Sequence, residues 1–247
     1  MLNYIKAEHL KTKRTFLRWL IWIAPLITLT HAIMVIAVYF ISDAYNWWYI
    51  VMLPATVALV CALMNRYEER KLQYRAVLSL PVSLKKVWVS KVVTASGYVI
   101  LASTIQLCGI LLVKLFVHTG QMELYSYAAL ILESIVLIVT VLWQVPLCLL
   151  LAKKFGMLAA VLFNALGGIL LSVIASTTRF WWICPYSFGA RLTIPILGVL
   201  PNGLIAEQGD SLLSGNVILP GIVISVLLFI ALSLITANWF GRQEVQG

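Results

Sequence analysis

Residues 125–174 read YSYAALILESIVLIVTVLWQVPLCLLLAKKFGMLAAVLFNALGGILLSVI, and they contain two long apolar runs separated by the tetrapeptide KKFG at 153–156. A helix needs about 20 mostly apolar residues to cross the hydrocarbon core of a bilayer. The runs at 125–151 and 157–174 are each near or above that length, and neither alternates as a transmembrane β-strand would. Together they predict a hairpin of two transmembrane helices, because a helix satisfies its own backbone polar groups in lipid.

Four further apolar runs, at 19–42, 49–65, 92–117 and 217–240, bring the predicted spans to six. Of the 247 residues, 62% are hydrophobic and 11% are charged, whereas soluble domains average roughly 45–50% apolar and 25% charged residues. The first run is also too long for the apolar region of a cleaved signal peptide. We therefore expect an all-α integral membrane protein that forms a single transmembrane domain over residues 1–247.

The basic residues are distributed unevenly between the predicted spans. Fifteen of the 18 Lys and Arg residues fall in the N-terminal stretch, the second and fourth connections, and the C-terminal tail. Because basic residues are retained on the cytoplasmic side of membrane proteins, both termini are predicted to be cytoplasmic in a multi-pass protein of the cell membrane. The net charge of +9 thus reflects topology, and no nucleic-acid partner is expected.

Two segments have the composition of membrane-interface elements. Near the N-terminus, Lys11, Arg14 and Arg18 fall on one helical face with apolar residues roughly opposite. This pattern predicts an amphipathic helix on the anionic inner leaflet, although an ordinary basic flank would give the same pattern. The outer connection at 175–216 is apolar and aromatic, and it is expected to dip into the outer interface. Its Trp181 and Trp182 serve either as interface anchors or as contacts for a membrane-bound substrate.

The sequence contains no catalytic or metal-binding motif. It has no GK dipeptide, so it cannot form the usual Lys-containing phosphate loop of an ATPase. The three His and four Cys residues lack the HExxH and CxxC spacings of common metal sites. We expect no catalytic residue and no cofactor in this chain, so any ATP hydrolysis must come from another subunit.

Glu133 is the one carboxylate inside the predicted spans. A charge at mid-membrane costs roughly 2.5–3.5 kcal/mol on insertion scales, so this side chain should be paired or protonated. Lys114, near the outer end of the preceding span, is the predicted partner. We expect this pair to tie two helices together, since an ion-coupled carrier ordinarily carries more than one such pair.

Small or compact polar residues recur at a four-residue spacing in the fifth predicted span. They are Gly156, Ala160, Asn164 and Gly168. Such a face lets another helix approach closely. The sequence leaves open whether that helix belongs to this chain or to a partner permease.

The second connection, NRYEERKLQYRAVLSLPVSLKKVWVSK at 65–91, predicts two short helical arms. Asn65 is placed to cap the first helix, with Glu68 and Glu69 at its positive end. Pro81 should end that helix, and Ser83 should begin a second one that continues into the third span.

We call these two arms, residues 65–91, the elbow. The elbow resembles the coupling element of type-2 ABC transporter permeases, in which an acidic pair is followed by a helix, an LSLPVS-like sequence and a Lys at the membrane boundary. Here these are Glu68 and Glu69, residues 78–83, and Lys91. The resemblance extends over the whole chain and implies an N-terminal helix along the inner leaflet and short re-entrant helices in the outer segment. It also implies docking to a separate ABC ATPase, present in two copies, that holds ATP and Mg²⁺. The residues implied in coupling are Glu68, Glu69, Leu72, Arg75, Leu80 and Pro81.

Within that class, the segments 3–16, 44–54, 74–91 and 201–203 are similar to the lantibiotic-immunity permeases of Gram-positive bacteria. Those proteins pair with a second, homologous permease and expel a pore-forming, amphipathic peptide from the membrane. The resemblance therefore implies an exporter that confers immunity to a lantibiotic. Two alternatives stay open: a permease that exports another drug, lipid or peptide, and a membrane scaffold or sensor without transport, in which the charged elbow is a solvated flank.

Overall fold

The computed structural model describes residues 1–35, 39–72, 82–117 and 121–243, and these ranges are mainly helical. The first half of the chain forms α1 (Leu2–Thr12), α2 (Leu17–Val35), α3 (Phe40–Trp47), a π-helical turn (Trp48–Met52), α4 (Leu53–Leu72) and α5 (Leu84–Phe116). The second half forms α6 (Gln121–Leu124), α7 (Tyr127–Val141), α8 (Gln144–Leu166), a second π-helical turn (Gly167–Leu171), α9 (Ser172–Ser176), α10 (Ser187–Leu197) and α11 (Ile218–Phe240). Short 3₁₀ turns lie at Trp181–Ile183, Ser211–Leu213 and Gly215–Val217.

Five segments of the described chain are long and apolar enough to cross a membrane. They are Leu17–Val35, Phe40–Arg66, Leu84–Phe116, Tyr127–Ser176 and Gly215–Phe240. The prediction of an all-α, multi-pass membrane protein is confirmed at this level.

The predicted first span, 19–42, is wrong at its outer end. Helix α2 ends at Val35 and α3 begins at Phe40. The Nδ1 atom of His31 lies 3.2 Å from the Asp43 carboxylate, whereas a continuous helix would separate these residues by about 18 Å along its axis. Helices α2 and α3 therefore do not form one continuous helix. Hydropathy could not separate them because the sequence between them stays apolar.

The segment Tyr127–Ser176 reverses direction at Gly156. This glycine has φ 84° and ψ 176°, a conformation outside the helical region. The side chains of Gln144 and Asn164 are joined by a hydrogen bond of 2.8 Å, although 20 residues of straight helix would hold them about 30 Å apart. Residues 144–155 and 157–166 are therefore two antiparallel helices, and the predicted reversal at 153–156 is present.

The N-terminal helix is shorter than the predicted amphipathic face. Helix α1 ends at Thr12, a non-helical turn follows, and α2 begins at Leu17, so Arg14 and Arg18 lie outside α1. The Thr12 hydroxyl donates to the carbonyl of His9 at 2.8 Å, and the Thr15 hydroxyl donates to that of Thr12 at 2.9 Å. Such local bonds offer the backbone an alternative to the helix.

Both ends of the described chain lie at the same end of the bundle. Glu8 of α1 is 3.5 Å from Lys91 near the start of α5. Phe240, at the end of α11, stacks on Trp88 at 4.7 Å between ring centroids. The ammonium of Lys153, in the turn that ends at Gly156, lies 4.1 Å from the centroid of the Phe240 ring. We call this the basic end: α1, the start of α5, the 153–156 turn and the end of α11.

Candidate functional site

The predicted coupling elbow begins on α4, which continues past its apolar part to Leu72 at the basic end. Glu68, Glu69 and Leu72 lie on this helical extension. Arg75, Leu80 and Pro81 lie outside the described residues, and their predicted roles stay predictions.

Asn65 does not cap a helix, and that prediction is wrong. It lies within α4, which runs from Leu53 to Leu72. Its side-chain amide donates to the backbone carbonyl of Leu149 at 2.8 Å, and Asn65 is buried. When the backbone groups of a polar residue are already hydrogen-bonded within its own helix, its side chain is free to hydrogen-bond to a neighbouring helix. Asn65 therefore fixes α4 against α8 just before the charged extension.

The second arm of the elbow is the start of α5, and the prediction that it begins after Ser83 is confirmed. Trp88 is fully buried, and its indole N–H donates to the Thr236 hydroxyl at 2.9 Å. Lys91 is also buried, with its ammonium 3.5 Å from the Glu8 carboxylate. This arm is thus packed against α11 on one side and α1 on the other.

The small-residue face of the fifth predicted span packs within this chain. Ala160 is fully buried in a cluster with Ala62 of α4 and Ala152 of α8. A Cβ atom on Gly168 would come within 2.7 Å of the backbone oxygen of Ile50. The two π-helical turns therefore meet backbone to backbone, which a larger residue at 168 would prevent. Gly156, predicted to belong to this face, instead forms the reversal.

Asn164 is the centre of a buried polar network. Its amide group donates to the Pro54 carbonyl at 2.7 Å and to the Gln144 side chain at 2.8 Å. Its side-chain oxygen accepts a hydrogen bond of 2.9 Å from the Tyr186 hydroxyl. One residue thus joins α4, both arms of the α8 hairpin and the outer segment. The four-residue spacing identified Asn164, but its three partners could not be read from the sequence.

Glu133 and Lys114 are not brought together, so the predicted pair is wrong for this conformation. Glu133 is fully buried and accepts a hydrogen bond of 2.5 Å from the Thr193 hydroxyl. Lys114 donates to the backbone carbonyl of Met122 and lies 5.0 Å from the Tyr127 ring centroid. The reason is tertiary: α10 packs against α7 and supplies Glu133 with a hydroxyl partner.

The outer segment presents one tryptophan outward and holds the other inward. Trp182 is 53% exposed, as are its neighbours Phe180 (52%) and Ile183 (60%). Trp181 packs edge-on against buried Phe188 at 6.0 Å between ring centroids. The exposed residues Phe180, Trp182 and Ile183 form what we call the outer aromatic edge.

Asn46 was missed as a candidate residue. Its side-chain amide donates to the backbone carbonyl of Pro201 at 3.0 Å, and it also reaches the Tyr49 hydroxyl at 3.0 Å. It therefore ties the segment 44–54 to the turn at 201–203. The sequence signal was present, since both segments carried the resemblance, but nothing in their spacing indicated contact.

Residues 4–172 match the family described as ABC-2 family transporter protein. This match covers more than half of the 247 residues, so the chain belongs to that family. It is therefore a membrane permease component of an ABC transporter, and the family implies an ABC ATPase as its partner. No curated protein and no solved structure matches the chain.

Proposed function

We propose that this permease expels a lantibiotic-type amphipathic peptide from the cytoplasmic membrane and so confers immunity to it. The observation that carries the proposal is the outer aromatic edge, which leaves three large apolar side chains more than half exposed. Exposed aromatic and apolar side chains at a membrane interface contact either lipid or a membrane-bound ligand. A membrane-bound peptide already sits at that depth, so the transporter need only bias its release outward.

The proposed topology has six crossings with both termini in the cytoplasm. The reversal at Gly156 supports counting Tyr127–Ser176 as two crossings. Residues 157–176 make a helix of about 30 Å, equal to the thickness of the hydrocarbon core. The outer aromatic edge, which follows Ser176, is then at the opposite face from the basic end. The concentration of basic residues at the basic end favours placing it in the cytoplasm.

The proposed domain is a single transmembrane unit over residues 1–247. The family match stops at residue 172, but the elements that follow are packed into the same bundle. Thr193 of α10 bonds to Glu133, and Thr236 of α11 accepts from Trp88. These contacts support assigning α10 and α11 to the permease domain.

Coupling in this proposal runs through the elbow at the basic end. A partner ATPase, in two copies, holds ATP and Mg²⁺ and docks against the extension of α4. Glu68 and Glu69 set the register of docking, since charges across an interface fix partner choice more than raw affinity. The second permease of the complex is a homologous chain. The packed second arm then passes movement to α1 and α11.

The direct test compares a strain that lacks this permease with its parent. Deletion should increase sensitivity to one or a few lantibiotics and leave sensitivity to unrelated drugs unchanged. Cells with the complete transporter should hold less membrane-bound peptide and release more into the medium, and an ATPase-dead complex should lose both effects. Unchanged sensitivity across a panel of lantibiotics, with the proteins shown to be expressed, would refute the immunity function and leave only the permease class.

The two tryptophans of the outer segment provide a matched pair for the cargo contact. Trp182→Ala should weaken protection at normal membrane level, because this ring is exposed and its loss removes contact area without opening a cavity. Trp181→Ala removes packing against Phe188 and should lower the stability of the outer segment. Normal protection in Trp182→Ala, with the protein correctly inserted, would exclude the outer aromatic edge as a cargo contact.

A further inference from the structure

An apolar groove of about 550 Å³ lies between α1 and α5 at the basic end. Leu2, Ile5 and Leu10 line it from α1. Val93, Gly97 and Leu101 line it from α5, where their four-residue spacing places them on one helical face. Its volume is within the roughly 300–1,000 Å³ typical of pockets that hold small ligands.

The groove exists because α1 is held against α5 by polar contacts along one side. The hydroxyl groups of Thr12 and Tyr98 are 2.5 Å apart, and the Tyr98 hydroxyl is 2.9 Å from His9 Nδ1. Glu8 and Lys91 approach to 3.5 Å on the same side. Gly97 leaves the floor open, since a Cβ atom there would meet no heavy atom within 4 Å.

We propose that this groove binds one phospholipid with an anionic headgroup, its acyl chain lying on Gly97 and its phosphate beside Lys6. Lys6 lines the groove from α1 and is exposed. The guanidinium of Arg18 lies 3.4 Å from His9 Nε2, which adds a second cation near the rim. A basic rim above an apolar floor is complementary to an anionic lipid.

The lining favours an acyl chain over a peptide. A peptide in an apolar groove would need partners for its backbone N–H and C=O groups, because lipid offers none. The floor residues Val93, Gly97 and Leu101 have no polar side chain to supply them. Of the polar residues that also line the groove, Thr94 donates its hydroxyl to the Ser90 carbonyl at 2.8 Å, and the Tyr98 hydroxyl lies 2.9 Å from His9 Nδ1. These groups are therefore already hydrogen-bonded within the protein. An acyl chain has no polar groups that need hydrogen-bond partners, and it gains van der Waals contact with the open floor of the groove.

Bound lipid would hold α1 in place beside the second arm of the elbow, because α1 also carries Glu8, whose carboxylate lies 3.5 Å from the Lys91 ammonium of that arm. This inference goes beyond the proposed export of a peptide and does not depend on the identity of the cargo.

Native mass spectrometry of the intact transporter, permease with its ATPase, tests the site. The complex is released from vesicles that contain equal amounts of phosphatidylglycerol and phosphatidylcholine. The wild-type complex should retain phosphatidylglycerol, and Gly97→Leu should retain at least tenfold less because the new side chain fills the groove. This variant should fold normally, since the added Cβ atom would have no heavy atom within 4 Å and leucine favours the helix.

Cys108→Leu is the matched control for bulk. Cys108 is exposed on α5, eleven residues beyond Gly97 and on nearly the same helical face, but it does not line the groove. Its lipid retention should equal that of the wild type. Normal retention in Gly97→Leu, or equal losses in both variants, would overturn the site. If Gly97→Leu instead breaks the permease–permease contact and leaves lipid retention unchanged, the groove is a subunit interface and the proposal is wrong.

The headgroup is tested separately with Lys6→Gln. Removing one cation near an anionic surface should reduce the preference for phosphatidylglycerol over phosphatidylcholine about fivefold. Lys86→Gln, which removes an exposed cation from α5 away from the groove, should leave the preference unchanged. An unaltered preference in Lys6→Gln, or an equal change in Lys86→Gln, would overturn the role of Lys6.

Discussion

Replacing Asn164 by Ala should loosen the middle of the bundle without preventing insertion. The change removes the hydrogen bonds of 2.7 Å to Pro54, 2.8 Å to Gln144 and 2.9 Å to Tyr186. Hydrogen bonds between helices in a membrane are worth about 0.6 kcal/mol each on average, so three together give about 2 kcal/mol. Since 1.4 kcal/mol is a tenfold change in an equilibrium constant, the population of opened molecules should rise about thirtyfold.

Two buried thiols report this opening directly. Cys61 on α4 and Cys148 on α8 are both fully buried, and they lie on the helices that Asn164 joins. In a background where Cys108 and Cys184 are Ala, a membrane-permeant fluorogenic thiol reagent should label only opened molecules. The labelling rate of the protein in nanodiscs, measured while opening and closing are faster than labelling, is proportional to the opened population.

Leu162→Ala is the control for the same helix. Leu162 is 51% exposed, and lipid can replace its contacts, so the labelling rate should change less than threefold. A rate for Asn164→Ala within threefold of the wild type would contradict a structural role for the network. An equally large increase in Leu162→Ala would show that the effect comes from truncating the helix surface.

Gly156→Ala should destabilise the hairpin by about 1–3 kcal/mol, because φ 84° with ψ 176° is accessible almost only to glycine. The added Cβ atom would have no other atom within 4 Å, so any destabilisation comes from backbone strain and not from a clash. A wild-type labelling rate at the buried thiols Cys61 and Cys148 would contradict this strain. In intact cells, a membrane-impermeant thiol reagent should label Cys184 in a variant whose other cysteines are Ala, and labelling only in inverted vesicles would reverse the proposed topology. Reversing Glu68 and Glu69 together to Lys should uncouple ATP hydrolysis from protection at normal membrane level. Wild-type protection and wild-type coupling in the double variant would exclude docking through the acidic pair.

Turns that interrupt long apolar stretches were predictable only where polar residues mark them. The reversal at 153–156 was visible because two lysines and a glycine separate apolar runs. The separation of α2 from α3 was not, because the sequence between them is as apolar as the helices themselves. The same difficulty applied to Asn65, whose position before an acidic pair resembled a cap although α4 continues through it.

Candidate residues were identified more reliably than their partners. The spacing of compact residues selected Ala160, Asn164 and Gly168, and all three lie at close helix contacts. The predicted partner of Glu133 was wrong because the short helix α10 packs into the bundle and places Thr193 beside it. Nothing in the local pattern of an outer connection specifies which of its residues will face a carboxylate 60 positions away.

The sequence by itself determined that this protein is a helical membrane protein, because the cost of unpaired backbone groups in lipid leaves long apolar runs little alternative. It also determined the asymmetry of charge and the absence of a phosphate-binding loop. Only the tertiary structure decided which helices touch, that Asn164 joins four segments, and that Glu133 pairs with a hydroxyl rather than with Lys114. The physical reason is that hydropathy measures the free energy of transferring side chains from water to lipid and contains almost no information about contacts between helices. Those contacts depend on close packing and single hydrogen bonds between residues far apart in the chain.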